Sequence, residues 1–249
     1  MHGWHALNIA NVLTFVAAVL AVWLVSGLLK RAGRLGTGDT RKVNHIFALA
    51  GGALWFGWLP EAEARLGGRV ACGVLLAMVV VVCRLRRYPP FSYAFLANTR
   101  ESDAPHEAFH FWFSWSISMI SLLAIDLMLA DVVVTRAAAL LVGIGDGVGE
   151  PVGTRFGRHR YAVPCLISGE RSTRSIEGSL AVVAASFATV VLCFGLWGSA
   201  SLAPLIVAAV VVGLAIGVVE AVSPHGLDNL TIPVSSAILL RGLRAFEWL

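Results

Sequence analysis

Charged residues are scarce in this sequence. Asp, Glu, Lys and Arg make up 14% of its 249 residues, whereas a soluble domain of this size carries about a quarter. Hydrophobic residues make up 57%, and many fall in uncharged runs of near bilayer length, such as residues 7–29. The scarcity of charge excludes an ordinary soluble domain, and the long runs predict a polytopic membrane protein.

Paired cysteines are absent as well. The four cysteines form no CxxC pair, and three of them lie in apolar runs: Cys72, Cys83, Cys165 and Cys193. This spacing predicts neither a disulfide framework nor a thiolate metal site. The first apolar run is too long for a signal peptide and has no clear cleavage site, so we expect it to remain as a membrane span.

The glycine-rich segment at residues 143–179 lacks the two common nucleotide-binding patterns. It contains neither GxGxxG within a strand–helix unit nor GxxxxGK[ST], which excludes a Rossmann or P-loop site. Its glycines also fit GxxxG spacing, which is typical of closely packed helices. Glycines can equally let a backbone approach a nucleotide, so Gly145 and Gly147 remain candidates for both roles.

The apolar runs predict an all-α, polytopic bundle of about seven to eight transmembrane helices in a single domain over residues 1–249. The predicted spans are residues 7–29, 43–59, 70–83, 111–130, 132–144, 180–197 and 202–219. A further run at 232–240 is too short to span alone. It is either re-entrant or part of a final helix that continues to residue 249.

The basic residues indicate an orientation for these spans. Most of them lie in the loops at 30–45, 84–110 and 145–179, which fall on one side of the membrane if the spans alternate. The positive-inside rule makes that side cytoplasmic and places the N-terminus outside. Topology therefore explains the net charge of +4 without a nucleic acid partner. We expect an integral membrane protein whose site faces the cytoplasm.

Two acids stand at the start of the glycine-rich segment. Asp146 and Glu150 are four residues apart, so they share one helix face if the fifth span continues. Pro151 would then end or bend that helix. Carboxylates at such a position need a cation, either a divalent metal or an arginine such as Arg155 or Arg158. Metal or nucleotide binding and a plain salt bridge both remain open.

Three other motifs carry candidate site residues. Ser175 is a suitable N-cap for the sixth span, and Glu177 lies in its first turn, where a helix N-terminus also favours phosphate. Asp228 and Asn229 lie in a turn flanked by Gly and Pro, which fits an ordinary Asx turn equally well. Arg41 and His45 share a face at the cytoplasmic end of the second span, where a snorkelling basic end is the alternative.

The residues His106-Glu107-Ala-Phe-His110 match HExxH, the signature of zinc peptidases. On a helix the two imidazoles would share a face, with Glu107 as the base. No third ligand is obvious, since His225 and Asp228 are distant in sequence. An intramembrane zinc protease is therefore an alternative. Asp126, an acid inside an apolar run, is expected at the interface or paired with Arg136.

At this point the sequence resembles the CTP-dependent polyprenol kinases, which comprise dolichol, phytol and farnesol kinases and the yeast-type diacylglycerol kinase. Four segments carry the resemblance: RKVNH at 41–45, GDGVGEPVGTRFGRHRY at 145–161, RSIEGSLA at 174–181 and EAVSPHGLDNLTIPVSSA at 220–237. Their order and spacing cover most of the chain. The resemblance implies CTP as donor and a membrane lipid alcohol such as phytol, farnesol or dolichol as acceptor.

The resemblance also implies roles for individual residues. Asp146, Glu150 and Glu177 would bind Mg²⁺, and Asp146 or Asp228 would accept the proton of the alcohol. Arg174 stands where the family usually has lysine. The nucleotide would contact the remaining candidates: Arg41, Lys42, His45, Gly145, Gly147, Arg155, Arg158, Arg174, Ser175, Glu177, Gly178 and Asn229. The loop between Pro164 and Arg174 is longer than the family pattern.

Two further functions use similar residues. A cytidylyltransferase of lipid phosphates would need the same acids and arginines but would release pyrophosphate. A transporter would place polar residues along a path through the spans, whereas this sequence keeps its spans nearly uncharged. The clustering of acids near arginines therefore favours phosphoryl transfer, which depends on positioning and charge neutralisation.

Overall fold

The computed structural model of the chain describes residues 9–165, 171–224, 226–246 and 248–249. Internal contacts divide the chain into two compact units, Met1–Val132 and Val133–Leu249. The single domain predicted from the sequence stays a prediction.

The first unit is helical throughout its described part. Its elements are α1 (Ile9–Arg31), α2 (Thr37–Gly57), α3 (Glu61–Leu85), α4 (Phe91–Asn98), a 3₁₀ turn (Glu101–Asp103) and α5 (Glu107–Leu129). Helix α1 packs against α2, α3 and α4, and α3 packs against α5. Trp23 of α1 is fully buried at the centre, where its ring lies 4.8 Å from that of Trp115 and 5.7 Å from that of Phe111.

A glycine allows α1 and α4 to approach each other closely in the first unit. A Cβ added to Gly27 of α1 would collide with the backbone carbonyl of Tyr93 in α4. The short helix α4, which lies in the segment expected to be a polar loop, can therefore pack directly against α1. Lys30 fixes the end of α4 by donating to the carbonyl oxygens of Leu96 at 2.9 Å and Thr99 at 2.8 Å.

The second unit combines helices with one hairpin. Its elements are α6 (Val132–Leu140), a π-helical turn (Leu141–Gly145), α7 (Asp146–Phe156), β1 (Arg160–Pro164), β2 (Arg171–Ser175), α8 (Ile176–Trp197), α9 (Leu202–Val222) and α10 (Asp228–Ala245). Helix α8 packs against α7 and α9, and α10 packs against α9. Strands β1 and β2 are antiparallel, with Tyr161 directly opposite Arg174.

Six helices in the described chain are long and apolar enough to cross a membrane: Ile9–Arg31, Glu61–Leu85, Glu107–Leu129, Val132–Phe156, Ile176–Trp197 and Leu202–Val222. Several of their large apolar side chains are exposed, including Leu13, Leu127 and Val218, as expected where lipid replaces water around a helix. The prediction of an all-α polytopic membrane protein is confirmed.

The sequence predicted about seven to eight spans, and two of the helices fall short. Helix α2 has sufficient length, but its first turns carry Asp39, Arg41 and Lys42. Helix α10 contains Pro233 and has Arg244 in its last turn. It does extend well beyond the predicted run at 232–240, so that run belongs to a longer final helix.

The structure differs from the expected loop at 143–179. The fifth span continues through the π turn into α7, so Asp146 and Glu150 do lie on one helix, as predicted. Pro151 lies inside α7 and does not end it. A proline is tolerated within a membrane helix because neighbouring helices and side chains can satisfy the backbone groups that it leaves unpaired. The hairpin that follows was not predicted.

Candidate active site

The second unit contains a buried arginine held between acids from two helices. Arg174 lies near the end of β2, and its Nη1 donates to Glu220 Oε1 of α9 at 2.5 Å. Its Nη2 donates to Asp228 Oδ2 of α10 at 3.4 Å. The three side chains are only 10–13% exposed. Since ion pairs are strengthened where water is excluded, this arrangement is more than a surface salt bridge.

Asp146 belongs to the same electrostatic environment. It is the first residue of α7 and only 6% exposed. Burial by itself lowers the pKa of Arg174, but the carboxylates of Glu220, Asp228 and Asp146 outweigh burial and raise that pKa above its usual value. One guanidinium is thus influenced by three carboxylates. The resulting excess of negative charge suits a divalent cation.

The turn between α9 and α10 brings Glu220 and Asp228 together. Gly226 has φ +96°, a conformation that glycine adopts without strain. The hydroxyl groups of Ser223 and Thr231 bond across the turn at 2.6 Å. Asp228 Oδ1 also accepts the backbone N–H of Asn229 at 3.0 Å. Asp228 therefore contacts Asn229 and Arg174 at once, because each contact uses a different carboxylate oxygen.

The predicted N-cap at Ser175 is confirmed. Its hydroxyl oxygen accepts the backbone N–H of Gly178 at 3.1 Å, which satisfies one of the first N–H groups of α8. This cap fixes the point at which β2 ends and α8 begins. Arg174 immediately precedes it and is positioned by the same junction.

The glycines of α7 and α8 serve close packing. A Cβ on Gly149 would come within 2.8 Å of Val182 Cγ2, and one on Gly153 within 2.8 Å of Ser175 Oγ. A Cβ on Gly178 would meet the carbonyl oxygen of Gly149 at 2.8 Å. These contacts agree with the GxxxG interpretation. Nucleotide binding by Gly145, Gly147 and Gly178 stays a prediction.

Glu177 contacts His159, whereas Arg174 contacts Glu220 and Asp228. The Glu177 carboxylate lies 2.7 Å from His159 Nδ1 and accepts the backbone N–H of His159 at 3.3 Å. It thus ties the start of α8 to the residue that precedes β1. Within the described residues, no group of three or more His, Cys, Asp or Glu side chains is placed to hold a metal ion. The expected set of Asp146, Glu150 and Glu177 is therefore not assembled in this structure.

The remaining candidate site residues of the second unit lie near the end of α7 and at the start of α10. Arg155 and Arg158 are exposed near the end of α7, and Asn229 is buried at the start of α10. Their contacts with a nucleotide stay predictions.

The candidates of the first unit lie on α2. Lys42 and His45 are buried, and the His45 ring lies 6.2 Å from that of Trp115. Their burial does not fit a snorkelling basic end, and their contact with a nucleotide stays a prediction. Arg41 is half-buried on the same helix.

Two other expectations concern the first unit. His106 precedes α5 instead of lying within it, and the described residues supply no third ligand for the HExxH motif. His225 lies outside the described residues. Asp126 forms ion pairs within the first unit. It accepts from Arg69 Nε at 2.5 Å and Arg65 Nε at 3.1 Å, because α3 packs directly against α5. Its pairing with Arg136 stays a prediction.

Three residues around Arg174 lie in the segments that carry the resemblance but are not among the predicted site residues: Tyr161, Ser179 and Glu220. Glu220 had a usable signal, since it is an acid at the end of an otherwise uncharged span. Ser179 Oγ donates to Glu220 Oε2 at 3.2 Å and lies 2.7 Å from the Tyr161 hydroxyl. The local sequence does not link Tyr161 to Arg174, because that link depends on the unpredicted hairpin.

One relative decides the family. A curated protein from Synechocystis sp., described as phytol kinase, is 30% identical over 239 residues, which cover 95% of this chain and 90% of that protein. The chain belongs to the phytol kinase family. The resemblance to polyprenol kinases is thereby confirmed. No family model matches the chain, and no solved structure matches it. Because the similarity to the phytol kinase extends over nearly the whole chain, it includes both units.

Proposed function

We propose that this protein is an integral membrane kinase that transfers the γ-phosphate of CTP to the hydroxyl group of a membrane lipid alcohol, with phytol as the first candidate. Membership of the phytol kinase family supports a lipid-alcohol acceptor. The six apolar helices support access from the bilayer. The observation that carries the proposal is the buried arginine, Arg174, between Glu220 and Asp228.

Arg174 suits a transferred phosphoryl group. Its two bonds to carboxylates use only part of its N–H donors, and a planar guanidinium can present the others to phosphate oxygens. Glu220 and Asp228 hold the group in place before the substrate arrives. Such preorganised positive charge stabilises the charge that develops on the phosphoryl oxygens.

We expect a buried carboxylate to remove the proton from the hydroxyl group of the lipid alcohol. Asp146 or Asp228 would accept the proton of the alcohol hydroxyl, since a general base must lie within hydrogen-bond reach of the reacting oxygen. Asp228 contacts Arg174 directly, and the charge of Asp146 helps to raise the pKa of Arg174, which supports either acid as the base for a phosphoryl group bound to Arg174. The exposed Arg155 and Arg158 would bind the outer phosphate oxygens.

The acids also fit the metal that accompanies a triphosphate. Mg²⁺ is commonly held by one or two carboxylates together with substrate phosphates, so it does not require a complete protein cage. Asp146 and Glu150 lie one turn apart on α7 and would hold it. When bound, Mg²⁺ neutralises charge on the phosphates.

The test is transfer from labelled nucleotide. Purified protein in lipid nanodiscs is incubated with Mg²⁺, γ-labelled CTP and, separately, phytol, farnesol, dolichol and diacylglycerol. Labelled phosphoryl lipid from one of the alcohols is the expected product. A parallel reaction with α-labelled CTP should leave the lipid unlabelled. Lipid labelled only from the α-phosphate, with release of pyrophosphate, would identify a cytidylyltransferase instead. ATP and GTP in the same assay test the choice of base.

A further inference from the structure

Glu220 receives two connections from the hairpin, and only one of them involves the arginine. Its Oε1 accepts from Arg174 Nη1, and its Oε2 accepts from Ser179 Oγ, which in turn contacts the Tyr161 hydroxyl. Tyr161 and Arg174 are directly opposite in the hairpin register, so their side chains leave the same face of the two strands. The two hairpin residues therefore meet at one carboxylate.

The direction of the hydrogen bonds follows from the donors. A serine hydroxyl has one proton, and Ser179 donates it to Glu220, because an ionised carboxylate only accepts. Tyr161 must then donate its own proton to Ser179 Oγ across the 2.7 Å contact. Each donor in this series of hydrogen bonds, from Tyr161 to Ser179 and from Ser179 to Glu220, points towards Glu220. Bonds arranged in this way polarise one another, so each strengthens the next.

Both oxygens of Glu220 are consequently fixed. The Glu220 side chain is only 11% exposed, so water competes weakly for these bonds. A carboxylate held at both oxygens has one orientation, and that orientation determines where the guanidinium of Arg174 lies. The phenol of Tyr161 thus restrains the arginine through two intermediate side chains.

We propose that Tyr161 is a positioning residue, which acts through Ser179 and Glu220 to hold Arg174 in place for the nucleotide phosphates. This inference rests on the proposed function. The alternative is that Tyr161 merely fixes the hairpin to α8, a role already served by the pair of His159 and Glu177. The two roles differ in what they change: the first alters the KM for nucleotide, and the second alters stability.

The variants are Tyr161→Phe, Ser179→Ala and the combination of both. Each removes a hydroxyl group and keeps the rest of the side chain. Tyr88→Phe is the matched tyrosine control, because Tyr88 is 65% exposed. Ser201→Ala is the serine control, because the Ser201 side chain makes no capping bond at the start of α9.

Loss of one hydrogen bond between Tyr161, Ser179 and Glu220 should raise the KM for CTP about fivefold. The KM for the lipid alcohol and the temperature of unfolding should stay as in the wild type. The double variant should resemble a single one, because both hydroxyl groups act along one path. In an Arg174→Lys background, Tyr161→Phe should add nothing. An equal rise in both KM values, or additive effects with a lowered unfolding temperature, would overturn the positioning role.

A second measurement needs no activity. Phenylglyoxal modifies accessible arginines, and mass spectrometry of the peptide that contains Arg174 gives the rate at this residue. We expect faster modification in Tyr161→Phe than in wild type or Tyr88→Phe. Equal rates would refute the positioning. A wild-type protein that transfers no phosphate, yet whose Arg174 reacts faster in Tyr161→Phe, would overturn the proposed kinase function and support the restraint of Arg174 by Tyr161.

Discussion

At the scale of single residues, Asp146 combines burial with a nearby cation. A neutral amide at this position would keep the shape of the side chain, but it could not accept a proton and would bind a metal ion more weakly than a carboxylate. We expect Asp146→Asn to lower phosphate transfer by about a thousandfold, the range typical of general-base loss. The assay is transfer from γ-labelled CTP by protein that elutes as a folded species in detergent.

Glu61→Gln provides the matched control for that experiment. Glu61 is an exposed acid in the first turn of α3, and Glu61→Gln removes the same charge from a residue that is not among the proposed site residues. Its activity should equal that of the wild type. An Asp146→Asn enzyme that remains fully active would remove the role of Asp146 and leave Asp228 as the candidate base.

Arg174 should affect stability as well as activity. Arg174→Gln leaves Glu220 and Asp228 buried without their cation, which costs about 3–5 kcal/mol when a buried pair loses one partner. Arg174→Lys keeps the charge, so it should retain the fold and part of the activity while the KM for nucleotide rises. Thermal unfolding in detergent and nucleotide titration measure the two effects. Equal unfolding temperatures for the two variants would show that the pairing contributes little to stability.

At the scale of elements, the contact between α7 and α8 depends on glycine. A Cβ on Gly178 would lie 2.8 Å from the carbonyl oxygen of Gly149, and a backbone atom cannot move aside as a flexible side chain can. We expect Gly178→Ala to destabilise the protein by about 1–3 kcal/mol, the usual cost of overpacking. The measurement is the unfolding temperature of purified protein.

Gly195 offers a control within the same helix. Nothing lies within 4 Å of a Cβ added there. Gly195→Ala should therefore be neutral, or stabilising by up to about 1 kcal/mol through helix propensity. Comparable destabilisation by both substitutions would mean that the loss at Gly178 does not come from the contact with Gly149.

The elements also show where sequence reasoning succeeds and where it stops. The cap at Ser175 and the shared helix of Asp146 and Glu150 follow from local spacing, and both are confirmed. The hairpin could not be predicted, because each strand has only five residues and β2 contains no apolar residue that would mark it as a strand.

The same limit explains the outcome at individual site residues. Arg174 and Asp228 were identified from motifs, and the structure brings them together. Glu177 was expected beside them, but its position next to His159 depends on how the hairpin meets α8. Contacts between residues distant in sequence are set by tertiary packing, which no local pattern encodes.

At the scale of the whole molecule, whether α2 crosses the membrane determines the side of the membrane on which the loops at 30–45 and 84–110 lie. The helix has 21 residues, enough to cover about 30 Å of bilayer, yet its charged first turns exclude it from the six apolar spans. If α2 crosses, the basic loops share one side, as the positive-inside rule predicts. If it does not, the loops at 30–45 and 84–110 lie on opposite sides.

Cysteine labelling in sealed vesicles tests this point. In a background without the four native cysteines, Arg34→Cys and Glu61→Cys flank α2, and Arg158→Cys and Ser199→Cys flank α8. We expect an impermeant maleimide to label only one member of each pair, with positions 34 and 158 protected from the outside. Labelling of positions 34 and 61 from the same side would show that α2 lies within one leaflet or along the surface.

The π-helical turn at Leu141–Gly145 determines the angle at which α7 leaves α6 about the axis of the fifth span. A π turn takes up about one residue more than an α turn, so the extra residue does not rotate the helix that follows. If the same five residues ran as regular α, the extra residue would rotate α7 by about 100° relative to α6, and Asp146 would face a different neighbour. Deleting one residue from the turn should therefore leave α7 at nearly its present angle, whereas the same deletion within α6 should rotate it. In this protein a local widening of one helix therefore determines the direction in which the first acid of α7 points.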